Sequence, residues 1–183
     1  MKRLLNSKSS NDMGLLFWLM AILAVSLIFA TTASAESTWT PGQYYGGIYE
    51  TGGSTAITLT TAGTYYPWAS TTVGLSSGMT VSAATDDITV LTAGTYEVSA
   101  SCSFLGSASA TITMALHEEG TIQPNCKSTR KLSATPTDTG SMSFTCRVAS
   151  VVNDSYTLQF TAAANTKEVT PVECNLVAFR LGP

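Results

Sequence analysis

The chain has 183 residues, 44% hydrophobic and 11% charged, with 9 Lys and Arg against 12 Asp and Glu for a formal charge of −3. So few cations on an acidic chain exclude the clustered basic surface that grips a nucleic-acid backbone, and they offer an anionic membrane little to hold. A single histidine, His117, excludes the multi-histidine metal centre of cupin-like jelly rolls, and no Cys-x-x-Cys spacing is present for zinc.

In chain order, Lys2, Arg3 and Lys8 make a basic start, Leu15 through Ala30 is apolar without a charge, and Ala33-Ser34-Ala35 follows. This is the layout of a secretory signal over residues 1–35, cut after Ala35. The apolar run falls short of the roughly 20 residues of a spanning helix. A retained N-terminal anchor is the alternative, and Met13 is a second possible start. Without the leader the chain keeps six cations and eleven acids, a formal charge of −5. That remainder suits one domain, with no membrane association expected after cleavage.

Residues 36–54 read as an extended lead-in rich in Gly and aromatics, including Trp39, Pro41, Tyr44, Tyr45 and Tyr49. From 55 to 183 the pattern is that of a β domain. Ala56 to Thr60 alternates and meets a turn at Ala62-Gly63, and Thr64 to Trp68 suits an edge strand because Pro67 has no N–H for a central ladder. Gly74 to Gly78 is a loop, Met79 to Ser82 a strand, and Asp86-Asp87 a turn before Ile88.

The clearest signal follows. Tyr96, Val98, Ala100, Cys102 and Phe104 alternate with Glu97, Ser99, Ser101 and Ser103, the period of a half-buried antiparallel strand. Ser109 to Leu116 alternates too, and Glu118-Glu119-Gly120 predicts a hairpin turn into a strand running to about Leu132. After a loop at 135–140, Ser141 to Ala149 alternates, Asn153-Asp154 turns into Tyr156 to Phe160, and Val172 to Leu181 closes the chain, apolar on both sides. Eight to ten short strands and no amphipathic helix predict an all-β antiparallel jelly-roll sandwich. Thr61 to Tyr65 and Thr92 to Tyr96 share the word Thr-Ala-Gly-Thr-Tyr, read as two turns of the same chemistry rather than a repeat.

Cys102, Cys126, Cys146 and Cys174 all follow the leader, and an even count in an exported chain predicts two disulfides. Three pairings are open. Cys102 and Cys146 lie on the apolar parity of their strands, and Cys174 on a strand apolar on both sides. The preferred pairing is Cys102–Cys174 with Cys126–Cys146, the latter tying consecutive strands together.

The strand order resembles the trimeric jelly-roll heads of the tumour-necrosis-factor and complement globular-head superfamily, especially the phage-fibre and spore-surface members. Ile88 to Val98 is similar to that family's strand, Gly-x-Tyr, strand segment. Thr113 to Gly120 resembles its hairpin, and Val148 to Leu158 the turn before its penultimate strand. Asn175 to Leu181 resembles its closing strand. The resemblance covers roughly residues 55–183 and implies a homotrimer. Asn153 stands where that family usually has Gly, Glu119-Gly120 replaces Asn-Gly, and no collagen-like stalk is present.

Candidate chemistry is sparse. His117, beside a hairpin tip, is expected to be a solvated turn residue. The acidic pairs read as turn chemistry, with Asp86, Asp87 and Asp154 the first places to look for calcium. Trp39, Tyr44, Tyr45, Tyr49, Tyr65, Tyr66 and Trp68 are the partner-binding candidates, either as a stacking platform or as interface anchors. The expectation is a secreted or cell-surface, non-catalytic structural or adhesive module without cofactor. It would be a head that binds a surface glycan or protein. One alternative is a fibre subunit whose lead-in adds a strand to a neighbour. The other is a glycan-active enzyme with two carboxylates roughly 5–10 Å apart.

Overall fold

A computed structural model describes residues 44–69, 71–135 and 138–183. The leader, Trp39 and Pro136 lie outside the described residues. Among those described, twelve strands form: β1 (Tyr45–Thr51), β2 (Ile57–Leu59), β3 (Tyr66–Pro67), β4 (Thr72–Val73), β5 (Met79–Ser82), β6 (Asp87–Val90), β7 (Gly94–Gly106), β8 (Thr111–Glu118), β9 (Thr121–Lys131), β10 (Thr139–Ser150), β11 (Ser155–Ala162) and β12 (Lys167–Gly182). The first sheet runs β10-β7-β12-β1-β4, with β2 also on β12, and the second runs β5-β6-β11-β8-β9, with β3 also on β11. The pairing is antiparallel throughout. The architecture is the all-β sandwich that alternation predicts, with the shortest strands, such as β4, added.

Alternation decides the core. Tyr96, Val98, Ala100, Cys102 and Phe104 of β7 are buried and face Ile112, Met114 and Leu116 of β8 and Tyr156, Leu158 and Phe160 of β11. The β8–β9 hairpin turns on Glu119 (φ 48°) and Gly120 (φ 73°), two left-handed residues as a tight primed turn requires. Asn153 (φ 77°) takes the same conformation, which Asn tolerates better than most side chains. Inside β12, Pro171 is accommodated at a register shift between Pro171 and Glu173, a bulge that absorbs the missing donor.

The sulfurs pair Cys102 with Cys174 and Cys126 with Cys146. The first bond joins directly opposed positions of β7 and β12. The second joins β9 to β10, the edge strands of the two sheets, and so clips the sandwich along one open side.

The lead-in boundary at 54 needs correction, because Tyr45–Thr51 is strand β1, paired over its whole length with β12. Gly46 and Gly47 make that stretch look like loop, yet Gly46 is where the second sheet comes closest. A Cβ there would lie 2.9 Å from Ile88 Cγ2 and 3.1 Å from Val81 Cγ2. The glycine lets β1 pack against β5 and β6.

Candidate functional site

The described aromatic candidates do not gather into one platform. Trp68 is 1% exposed and belongs to the core, so as a partner-binding residue it is corrected. Its indole N–H donates to Glu50 Oε2 at 2.7 Å, and Glu50 is itself buried on β1. Tyr66 fastens its own turn, its hydroxyl bonded to Thr60 Oγ1 and accepting from the Thr61 N–H at 3.0 Å. Tyr65 sits half-buried on the outer side of the second sheet, its ring 4.8 Å edge-on from the His117 imidazole.

His117 is likewise corrected from a solvated turn residue to a buried one, 6% exposed. It keeps the outward parity of β8, but a register shift in the β8–β9 pairing between Ala115 and His117 and the Tyr65 ring close over it. Nδ1 meets the Gly120 carbonyl at 3.2 Å and Nε2 has no partner among the described residues. Burial holds its pKa below the ordinary histidine value.

Asp86 and Asp87 share one turn and Asp154 lies in another. Asp86 accepts from the Thr71 N–H at 2.9 Å and hydroxyl at 2.6 Å, Asp87 from the Thr85 hydroxyl at 2.9 Å, and Asp154 from the Val151 N–H at 2.6 Å. No group of three metal-ligating side chains comes together among the described residues. Glu118 instead closes one end of the sandwich. It accepts from Ser150 Oγ at 2.5 Å and Gln123 Nε2 at 2.7 Å, and Ser150 also bonds the buried Tyr156 hydroxyl.

Burial is the chief cause that raises the Glu118 carboxyl above its ordinary pKa, and Asp154 and Glu119 add repulsion. Burial likewise raises Glu50, against the lowering effect of its Trp68 bond. A raised carboxyl pKa means the native state binds its proton more tightly than the unfolded chain does. Stability therefore falls as pH rises from about 4.5, the ordinary value, through the raised native value. Glu50→Gln retains an acceptor for Trp68 without the desolvated charge. Its urea midpoint should match or exceed wild type at pH 7.5, with a shallower decline between pH 4.5 and 7.5. A decline as steep as wild type would show that Glu50 carries none of it.

Tyr45 and Tyr49 lie on the solvent face of the first sheet. There the cross-strand register sets Tyr45 opposite Phe179, Gly47 opposite Val177 and Tyr49 opposite Asn175. With Leu75 these residues line an apolar groove of about 390 Å³. Leu75 is 82% exposed, Phe179 44% and Tyr49 41%. Tyr44 is not among the groove residues: it packs against the core, its ring under the Arg180 guanidinium at 5.1 Å. The same sheet face continues across β7 and β10 as a shallow polar groove of about 640 Å³, floored by Ser101, Ser103, Ser141 and Ser143 beside Asn175 and Glu173. Leu75, Val177 and Phe179 are absent from the sequence-derived candidates. The signal for the last two was present, since β12 alternates Leu176 and Ala178 inward with Val177 and Phe179 outward.

No family model matches the chain, and no curated protein matches it in sequence. Solved structures do match in fold. The Eiger TNF of S. frugiperda superposes with a TM-score of 0.55 at 14% identity, over 76% of this chain and 94% of that one. Murine APRIL gives 0.54 at 11%, over 75% and 99%. The globular domain of a zebrafish complement 1qA protein gives 0.54 at 9%, over 75% and 97%. At such identities the likeness is one of fold, and the sandwich is a jelly roll of the tumour-necrosis-factor and complement globular-head kind.

Proposed function

We propose that this chain is an exported, non-catalytic binding head that assembles as a homotrimer through the solvent face of its first sheet. The observation that carries the reading is the apolar groove of Tyr45, Tyr49, Leu75, Val177 and Phe179. A contiguous apolar patch with large exposed side chains marks a surface that another protein covers. Threefold closure is proposed from the likeness to tumour-necrosis-factor and complement heads, with the phage-fibre and spore-surface members as analogues in strand pattern. The leader and two disulfides support export to the exterior or cell surface. β1 argues for a discrete head over a strand-donating fibre subunit, because this part of the lead-in pairs with its own β12.

The test is sedimentation velocity of the exported protein beside a Val177→Asp/Phe179→Asp variant. Both side chains lie outside the core, so the variant should keep its far-UV spectrum. Wild type is expected at the mass of three chains and the variant at one. Equal masses for the two would place self-association on another face or remove it.

A further inference from the structure

The outward face of the second sheet, opposite the proposed trimer face, has a chemistry of its own. Residues 36–183 contain six cations, and three of them, Lys127, Arg130 and Lys131, fall on β9, an edge strand of this sheet without an acid. The β8–β9 register sets Lys127, Thr129 and Lys131 on one face, opposite Ala115, Thr113 and Thr111. The β8–β11 register adds Gln159 and Thr161 to that face. Lys127, Arg130 and Lys131 are exposed. Thr113 and Thr129 share a hydrogen bond between their hydroxyls at 2.8 Å. Thr161, 7% exposed, has no partner for its Oγ1 among the described residues. Tyr65 supplies a half-buried aromatic ring beside the strip, against His117.

We infer that this strip, from Lys127 and Lys131 of β9 across the hydroxyls of β8 and β11 to Tyr65, binds an acidic polysaccharide. The inference rests on the reading of the domain as a binding head and names its partner class. β9 and β11 carry no acid, and Asp87 of β6 stands on this face beyond Thr157. On a chain whose residues 36–183 carry a formal charge of −5, the β9 side of the face is where an anion would dock. Residues four apart in a strand stand about 13 Å from each other. Two ammoniums at that spacing can each meet a separate carboxylate of one polyuronate chain. A nucleic acid, with a charge about every 3.4 Å along each strand, would meet mostly an acidic protein. The hydroxyls between the lysines match sugar hydroxyls in hydrogen-bonding capacity, and an aromatic face suits a sugar ring.

The experiment uses the exported protein and a Lys127→Glu/Lys131→Glu variant, with polygalacturonate as the acidic polysaccharide, neutral dextran as control and single-stranded oligothymidylate as competitor. Wild type should bind polygalacturonate and not dextran, and 0.5 M salt should release it, because exposed charges are screened within a few ångströms at that ionic strength. The variant should bind at least about tenfold more weakly, the lower end for losing a charge-assisted hydrogen bond. Absent binding, equal binding by the variant, or equal affinity for oligothymidylate would overturn the inference. Sedimentation of the same samples separates the two readings. A trimer that ignores polygalacturonate refutes the glycan alone, whereas a monomer refutes the head.

Discussion

A Cys102→Ala/Cys174→Ala protein should melt roughly 13 °C below wild type, and a Cys126→Ala/Cys146→Ala protein roughly 10 °C below. That order runs against first impressions. Cys126–Cys146 is the bond that holds the two sheets together at an open edge, whereas Cys102–Cys174 joins strands already laddered side by side. A disulfide acts mainly by restricting the unfolded chain, and the restriction grows with loop length. The separations are 72 and 20 residues, worth about 4 and about 3 kcal/mol. At a domain of this size each kcal/mol moves the melting temperature by roughly 3–4 °C. Protein concentration must be matched, since self-association makes the transition depend on it. If the Cys126–Cys146 variant is the less stable, native edge contacts outweigh loop entropy.

Phe104→Ala should cost about 3–5 kcal/mol, or roughly 10–15 °C. Phe104 is fully buried near the end of β7, directly across from Gly140 of β10. Its ring occupies the space where a side chain at Gly140 would stand, and Leu132 closes the pocket from the chain that follows β9. Removing the ring leaves an unfilled space at the join of β7, β10 and the β9–β10 connection. Gly140 cannot relax to fill it, having no side chain to move. Chemical denaturation at matched concentration gives the value, and a loss under about 1 kcal/mol would mean that the site collapses.

Local rules made much of this fold legible. The period of two in β7 and β8 and the Glu119-Gly120 turn depend only on neighbours in sequence, and the structure follows them. The misreadings involve partners far along the chain. Gly46 and Gly47 read as loop because nothing nearby shows that Ile88 and Val81 take up the space a side chain would need at Gly46, and Val177 the space at Gly47. Trp68 read as a surface aromatic because its acceptor, Glu50, is a carboxylate, a group rarely placed in a core without such a bond. His117 holds its expected outward parity, and only the distant Tyr65 and the adjacent register shift bury it. The apolar groove was half legible. Val177 and Phe179 show in the two-sided apolar pattern of β12, while Leu75 comes from a loop whose position no alternation fixes.

The most direct test of the trimeric head is the mass of the exported chain by light scattering, without reductant, over a range of protein concentrations. The trimeric head predicts three copies at every concentration above dissociation, with no growth beyond three. A single-chain mass would contradict it by leaving the Tyr45–Phe179 groove uncovered in solution. Open-ended growth with concentration would contradict it as well, and would point to a fibre.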